Sequence, residues 1–285
     1  MIGEASVVRL LLTVLLAGGT AALVDRWTEL RGFLPPAFEN PWRRAAAFLV
    51  VASILFLGVF LPLALLGRAA PVTPADVSGP RVFLLQGLLV LSLLTWFVLG
   101  YAGRGGRRLL AQLARQLGWR AERPGFELAL GLAAGAAGWV AVIALVVAVA
   151  AVIWLLGGEE LLPKAPPDVI PLIAGLPLGM RIGLGLSAGV VEETFFRGFL
   201  QPRVGIPLST GLFVLAHLSY EQPFMLVGIT ALSLLFAFLV RWRRTVLPAI
   251  AAHAAFDLVQ LLFIIPWVLQ KLPAGGLESV QGWLH

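Results

Sequence analysis

Eight long apolar runs leave this chain little to fold into except a set of helices within a lipid bilayer. They lie at about Val7–Val24, Ala45–Leu66, Val82–Ala102, Phe126–Leu156, Leu172–Leu200, Pro207–Tyr220, Pro223–Val240 and Val246–Leu269. About 20 consecutive apolar residues cross the hydrocarbon layer as an α-helix. Inside lipid every backbone N–H and C=O must be paired within the protein, so only helices and closed barrels span it. Uninterrupted apolar runs of this length predict an all-α fold, a polytopic integral membrane bundle of about eight transmembrane helices. The composition agrees, with 59% hydrophobic and 13% charged residues, where a soluble domain has about a quarter charged. No connection is long enough for a soluble domain, so residues 1–285 are read as a single membrane domain.

Two of the runs, Phe126–Leu156 and Leu172–Leu200, exceed one crossing and must tilt, bend or begin on the surface. Pro171 and Pro177 favour a break early in the second of these. Pro207–Tyr220 is short, the length of a half-buried helix. Gly131 with Gly135, and Gly185 with Gly189, form small-xxx-small patterns that let helix backbones approach closely.

Arginine dominates the net charge of +6 and sits in short connections. Arg26, Arg31, Arg43 and Arg44 flank the first connection, and Arg104, Arg107, Arg108, Arg115, Arg120 and Arg123 fill the third. Arg197 and Arg203 close the fifth run, and Arg241, Arg243 and Arg244 close the seventh. The even-numbered connections are poorer in positive charge. This alternation predicts that the odd connections face the cytoplasm and both termini lie outside. It also accounts for the basic balance without a nucleic-acid partner. Arg104–Arg123 has leucines at helical spacing among basic residues, as expected of a helix lying on the membrane surface. Leu10–Val24 is read as a retained first helix rather than a cleaved signal. The expected setting is the cytoplasmic membrane of a prokaryote, with membrane lipid as one partner. The chain has no cysteine, which excludes disulfides, thiolate metal ligands and cysteine nucleophiles.

Against this apolar background Glu192 and Glu193 are costly, because an intramembrane carboxylate is tolerated only when paired or facing a wet cavity. At 3.6 residues per turn, Glu193 and Arg197 share a face and can form an ion pair, while Glu192 points about 100° away and lacks that partner. Taken locally, both glutamates also fit a cap or an interfacial anchor. His217 closes Phe213-Val-Leu-Ala-His217, and a lone membrane histidine often does no more than bridge two helices. His253 and Asp257 stand at i,i+4 on one helix face, so the carboxylate can orient the imidazole or share its work.

Taken in order on successive helices, Glu192-Glu193-x-x-x-Arg197, Phe213-x-x-x-His217 and His253-x-x-x-Asp257 resemble the CPBP family. This is the CAAX-protease and bacteriocin-processing (Abi) group, which includes type II CAAX prenyl endopeptidases. The resemblance spans 172–269, which is read as the catalytic core, and leaves 1–165 as helices to which no role attaches. It implies an intramembrane glutamic endopeptidase acting on a peptide or protein substrate, with no cofactor. By similarity, Glu192 with His217 activates a water, and His253 with residue 257 stabilises the oxyanion; Glu193, Arg197 and Phe213 support them. Position 257 departs from the prenyl-protease branch, which generally has asparagine there. An ionised aspartate cannot donate to an oxyanion, so Asp257 acts protonated or holds His253 in the donating tautomer.

Four other readings stay open at this level. Two histidines and carboxylates can hold zinc, which makes a metalloprotease using the same residues an alternative. Gly185-Leu-Ser187-Ala-Gly189 fits G-x-S-x-G, but that motif requires a strand-to-helix turn, and here it is embedded in a helical run. A transporter would use the same ionisable groups for proton or ion coupling, although no internal repeat accompanies them. A non-catalytic immunity or scaffold protein is the remaining option.

Overall fold

A computed structural model describes residues 4–65, 82–101, 103, 106–162, 169–218 and 223–271. Leu66, Ala102 and Tyr220, three of the expected run ends, and Arg104 lie outside the described residues. Among the described residues there is no strand. The helices are α1 (Glu4–Leu30), α2 (Pro41–Leu55), α3 (Leu61–Leu65), α4 (Leu84–Gly100), α5 (Gly106–Gln116), α6 (Pro124–Leu155), α7 (Val169–Ala174), α8 (Leu178–Glu193), α9 (Gln201–Ala216), α10 (Pro223–Arg243), α11 (Leu247–Val259) and α12 (Ile265–Lys271). Three π-helical stretches, Phe56–Phe60, Thr194–Leu200 and Gln260–Ile264, splice α2 to α3, α8 to α9 and α11 to α12.

Six helical runs are long and apolar enough to cross a membrane among the described residues, and α4 is a shorter apolar helix. The difference from the eight expected crossings has two causes. The fifth and sixth apolar runs join into one helical path, Leu178–Ala216, broken only at Gly205 (φ 84, ψ 170). Glycine adopts that backbone without strain, and Pro207 two residues later cannot donate back into the preceding turn. The third run yields only 17 helical residues, about 26 Å at 1.5 Å per residue. α6 is a single 32-residue helix, so the fourth run continues without a break. The break before α8 falls at Pro177, whose extended backbone (φ −51, ψ 144) starts the helix.

α11 is the packing centre of the C-terminal half. Gly135 on α6 and Gly189 on α8 press against its backbone; an added Cβ would lie 2.6 Å from Ala252 O and 2.8 Å from Ile250 O, respectively. The two small-xxx-small patterns thus clamp one helix from two sides. The N-terminal helices pack on an aromatic core, in which Phe199 of the Thr194–Leu200 stretch joins Phe38 and Phe97 around Trp96 with edge-on contacts at 5.0–5.2 Å. α1 and α6 carry many exposed leucines and valines, including Leu11, Leu15, Val140 and Val147. Such a surface suits contact with lipid tails.

The arginine-rich connections meet at one end of the bundle. Arg31 donates to Pro202 O (2.9 Å), Val246 N–H to Gly118 O (2.9 Å), and Arg203 to Gln116 Oε1 (3.1 Å). The first, third, fifth and seventh connections therefore share a side. α5 lies among them with Arg107, Arg108 and Arg115 exposed. Its Leu109 and Leu113, followed by Leu117, pack on the core.

Candidate active site

The polar cluster forms where α8, α9 and α11 come together. Glu193 and Arg197 occupy one face across the start of the π-helical stretch, and Arg197 Nε lies 3.3 Å from Glu193 Oε2. Both side chains are buried, at 0% and 1% exposure. A buried charge needs a partner because desolvation otherwise costs several kcal/mol, roughly. Arg197 also donates from Nη2 to Ser233 Oγ (3.0 Å) on α10 and lies 4.4 Å over the Phe213 ring.

Glu192 faces another direction. Its Oε2 is 3.9 Å from His217 Nε2, and both side chains keep 20% of their surface open. Glu192 Oε2 is itself buried and has no hydrogen-bond partner, whereas Glu193 is engaged by Arg197 and His253, so Glu192 is the glutamate with an unused acceptor. His217 Nδ1 is 2.7 Å from Phe213 O; a carbonyl only accepts, so Nδ1 carries the proton. Nε2 is then the nitrogen turned towards Glu192.

His253 is held from both sides. Nδ1 is 2.8 Å from Glu193 Oε1, and Nε2 is 3.5 Å from Asp257 Oδ2. Phe236 stacks on the ring at 5.1 Å between centroids. Phe213 lies between the two imidazoles, 4.5 Å from His217 and 6.1 Å from His253. Glu192 is within electrostatic range of His217, His253, Asp257 and Glu193. The structure therefore brings together all seven residues singled out by sequence.

Two features of the site were not apparent in the sequence. The Glu193–His253 hydrogen bond joins different helices, so no local spacing announces it. Ser233 sits in the apolar run Ala-Leu-Ser233-Leu-Leu and differs from any buried helical serine only through Arg197. Ser187, by contrast, donates back to Gly183 O at 2.6 Å within α8. A helix surrounds it, so the strand-to-helix turn of a nucleophile elbow is absent there. Among the described residues no group of three His, Asp or Glu is placed to hold a metal ion.

A family model described as type II CAAX prenyl endopeptidase Rce1-like matches residues 174–259. This region is CAAX-protease-like. The match contains the entire polar cluster and covers less than a third of the chain. No curated protein and no solved structure matches. The CAAX-protease-like match supports an intramembrane protease of the CAAX type, and the apolar helices indicate an integral membrane protein.

Proposed function

We propose that the chain is an intramembrane glutamic endopeptidase in which Glu192 and His217 activate the attacking water. The observation that carries this reading is the Glu192–His217 pair, 3.9 Å apart and partly open beside a sealed Glu193–Arg197 pair. Glu192 Oε2, buried and without a hydrogen-bond partner, and His217 Nε2 are both acceptors in the neutral tautomer, and one water admitted between them with the substrate would donate to both. The carboxylate takes a proton as the water oxygen bonds to the scissile carbonyl carbon, giving a tetrahedral oxyanion. Collapse breaks the C–N bond, and the same proton passes to the departing amine.

In this scheme His253 is an imidazolium that gives Nδ1–H to Glu193 and keeps Nε2–H as the oxyanion donor. Its contact with Asp257 is long at 3.5 Å, which leaves Nε2–H open to a developing charge, and the 2.8 Å bond from Nδ1–H to Glu193 holds the ring in that orientation. Preorganised donors of this kind supply a large part of the catalysis of acyl transfer. Asp257 positions His253. Phe213 separates the two imidazoles and holds the Arg197 guanidinium against its face. The substrate is a peptide or membrane-associated protein, the enzyme works without a cofactor, and the arginine-rich end faces the cytoplasm of a prokaryotic cell.

Purified protein in lipid nanodiscs, offered a peptide library beside a Glu192→Ala control, tests the reading. Cleavage abolished in the control and unchanged by strong chelator is expected. Loss of cleavage in chelator with recovery on added zinc would favour the metalloprotease alternative.

A further inference from the structure

A second polar feature lies one helical turn beyond the Glu193–Arg197 pair. A cavity of about 510 Å³ opens among the ends of α1, α5, α10 and the Gly205 kink. Five arginines line it, Arg31, Arg115, Arg197, Arg241 and Arg244, and no aspartate or glutamate does. Four of them are exposed at the mouth. Arg197 is the buried one, and its Nη1 has no hydrogen-bond partner. Gln201, also buried on the wall, gives its amide N–H to Ala237 O (3.0 Å). That bond fixes the amide orientation and leaves Gln201 Oε1 an acceptor without a donor.

Four exposed arginines with no carboxylate in the lining specify a ligand with anionic oxygens. Guanidinium groups match phosphate oxygens with paired hydrogen bonds. The cavity also sits where candidate spans end: Leu30 precedes Arg31, Arg243 precedes Arg244, and Val246 precedes Leu247. That level is where head groups lie, and basic pockets between membrane helices recognise anionic head groups. We propose that this cavity binds the phosphate of an anionic phospholipid. The four mouth arginines hold the phosphate, while Arg197 Nη1 and Gln201 Oε1 stay sealed in the wall behind it.

The test measures lipid retention by native mass spectrometry of full-length protein from nanodiscs of mixed phosphatidylglycerol and phosphatidylcholine. Phosphatidylglycerol should be retained preferentially. Arg241→Gln with Arg244→Gln should lower its occupancy about tenfold or more, the scale of one lost charge-assisted hydrogen bond. Arg120→Gln with Arg123→Gln removes the same charge outside the cavity and should change nothing. Arg115→Gln serves if the first pair fails to fold, and should reduce occupancy in the same sense. Equal retention of both lipids, or equal loss in the control pair, would overturn the proposal. Thermal stabilisation by inorganic phosphate in pure phosphatidylcholine nanodiscs, matching that by phosphatidylglycerol, would show a free-phosphate site and overturn the lipid assignment.

Discussion

The imidazole–carboxylate cluster and the arginine cavity are neighbours that share Arg197, yet they handle buried charge in opposite ways. In the cluster, each charge meets an opposite or accepting group within 4 Å: Arg197 with Glu193, Glu193 with His253, His253 with Asp257, and Glu192 with His217. In the cavity region, cations are left over. Arg203 is fully buried with no carboxylate partner among the described residues. Hydrogen bonds to Phe199 O and Gln116 and the faces of Phe199, Phe33 and Trp96 at 4.1–5.1 Å hold it instead. A closed set of pairs keeps groups in fixed geometry for chemistry, whereas an unbalanced set attracts a counter-charge from outside. Glu192 is the exception within the cluster, because its partner is distant and its face partly open.

That contrast predicts different kinds of failure on the two sides. The largest effect belongs to Glu192. Glu192→Gln keeps the shape and removes only the base, so cleavage should fall by about 100-fold to 10,000-fold, the range for general-base catalysis. Melting temperature in nanodiscs should barely change. Cleavage within a factor of two of the parent would break the distinction between the open glutamate and the sealed one.

Next comes the shared residue. Arg197→Ala leaves Glu193 buried without its guanidinium, and removing one partner of a buried pair costs about 3–5 kcal/mol. Lower expression and melting temperature should accompany loss of cleavage, and Glu193→Gln with Arg197→Met should be less destabilised than either single change. Normal stability with a purely kinetic defect would assign Arg197 to substrate contact. Arg203→Met sharpens the comparison from the other side. It removes a buried cation without stranding a carboxylate, so its stability loss should be the smaller of the two, with cleavage retained. A larger drop in melting temperature than for Arg197→Ala would show that aromatic faces and backbone carbonyls hold a guanidinium better than a carboxylate does here.

The same two regions differ in how far the sequence reveals them. Glu193–Arg197 and His253–Asp257 were legible because i,i+4 spacing on a helix fixes proximity regardless of tertiary context. The helical class and close packing at Gly135 and Gly189 were legible for similar reasons, since run length and small-residue spacing are local signals, but that both glycines press on α11 was not. The joining of the fifth and sixth runs was not, because a π-helical stretch leaves no apolar signature and Gly205 reads like any loop glycine. Nor was the cavity, whose lining comes from four connections far apart in sequence. Charge alternation placed those arginines on one side of the membrane; only packing gathers them around one space.

Ser187 gives the smallest expected effect and the sharpest check on where chemistry resides. It lies within a G-x-S-x-G pattern one turn before Glu192 and belongs to neither region. Its hydroxyl already donates to Gly183 O at 2.6 Å, with Leu184 O at 3.2 Å. Ser187→Ala loses only this local back-bond, which adds little to a helix already hydrogen-bonded along its backbone. Stability should shift by no more than about 0.5 kcal/mol, and cleavage should stay within twofold of the parent. A collapse of cleavage in Ser187→Ala, with Glu192→Gln still active, would move the nucleophile to the serine and reduce the carboxylate–imidazole cluster to scaffolding.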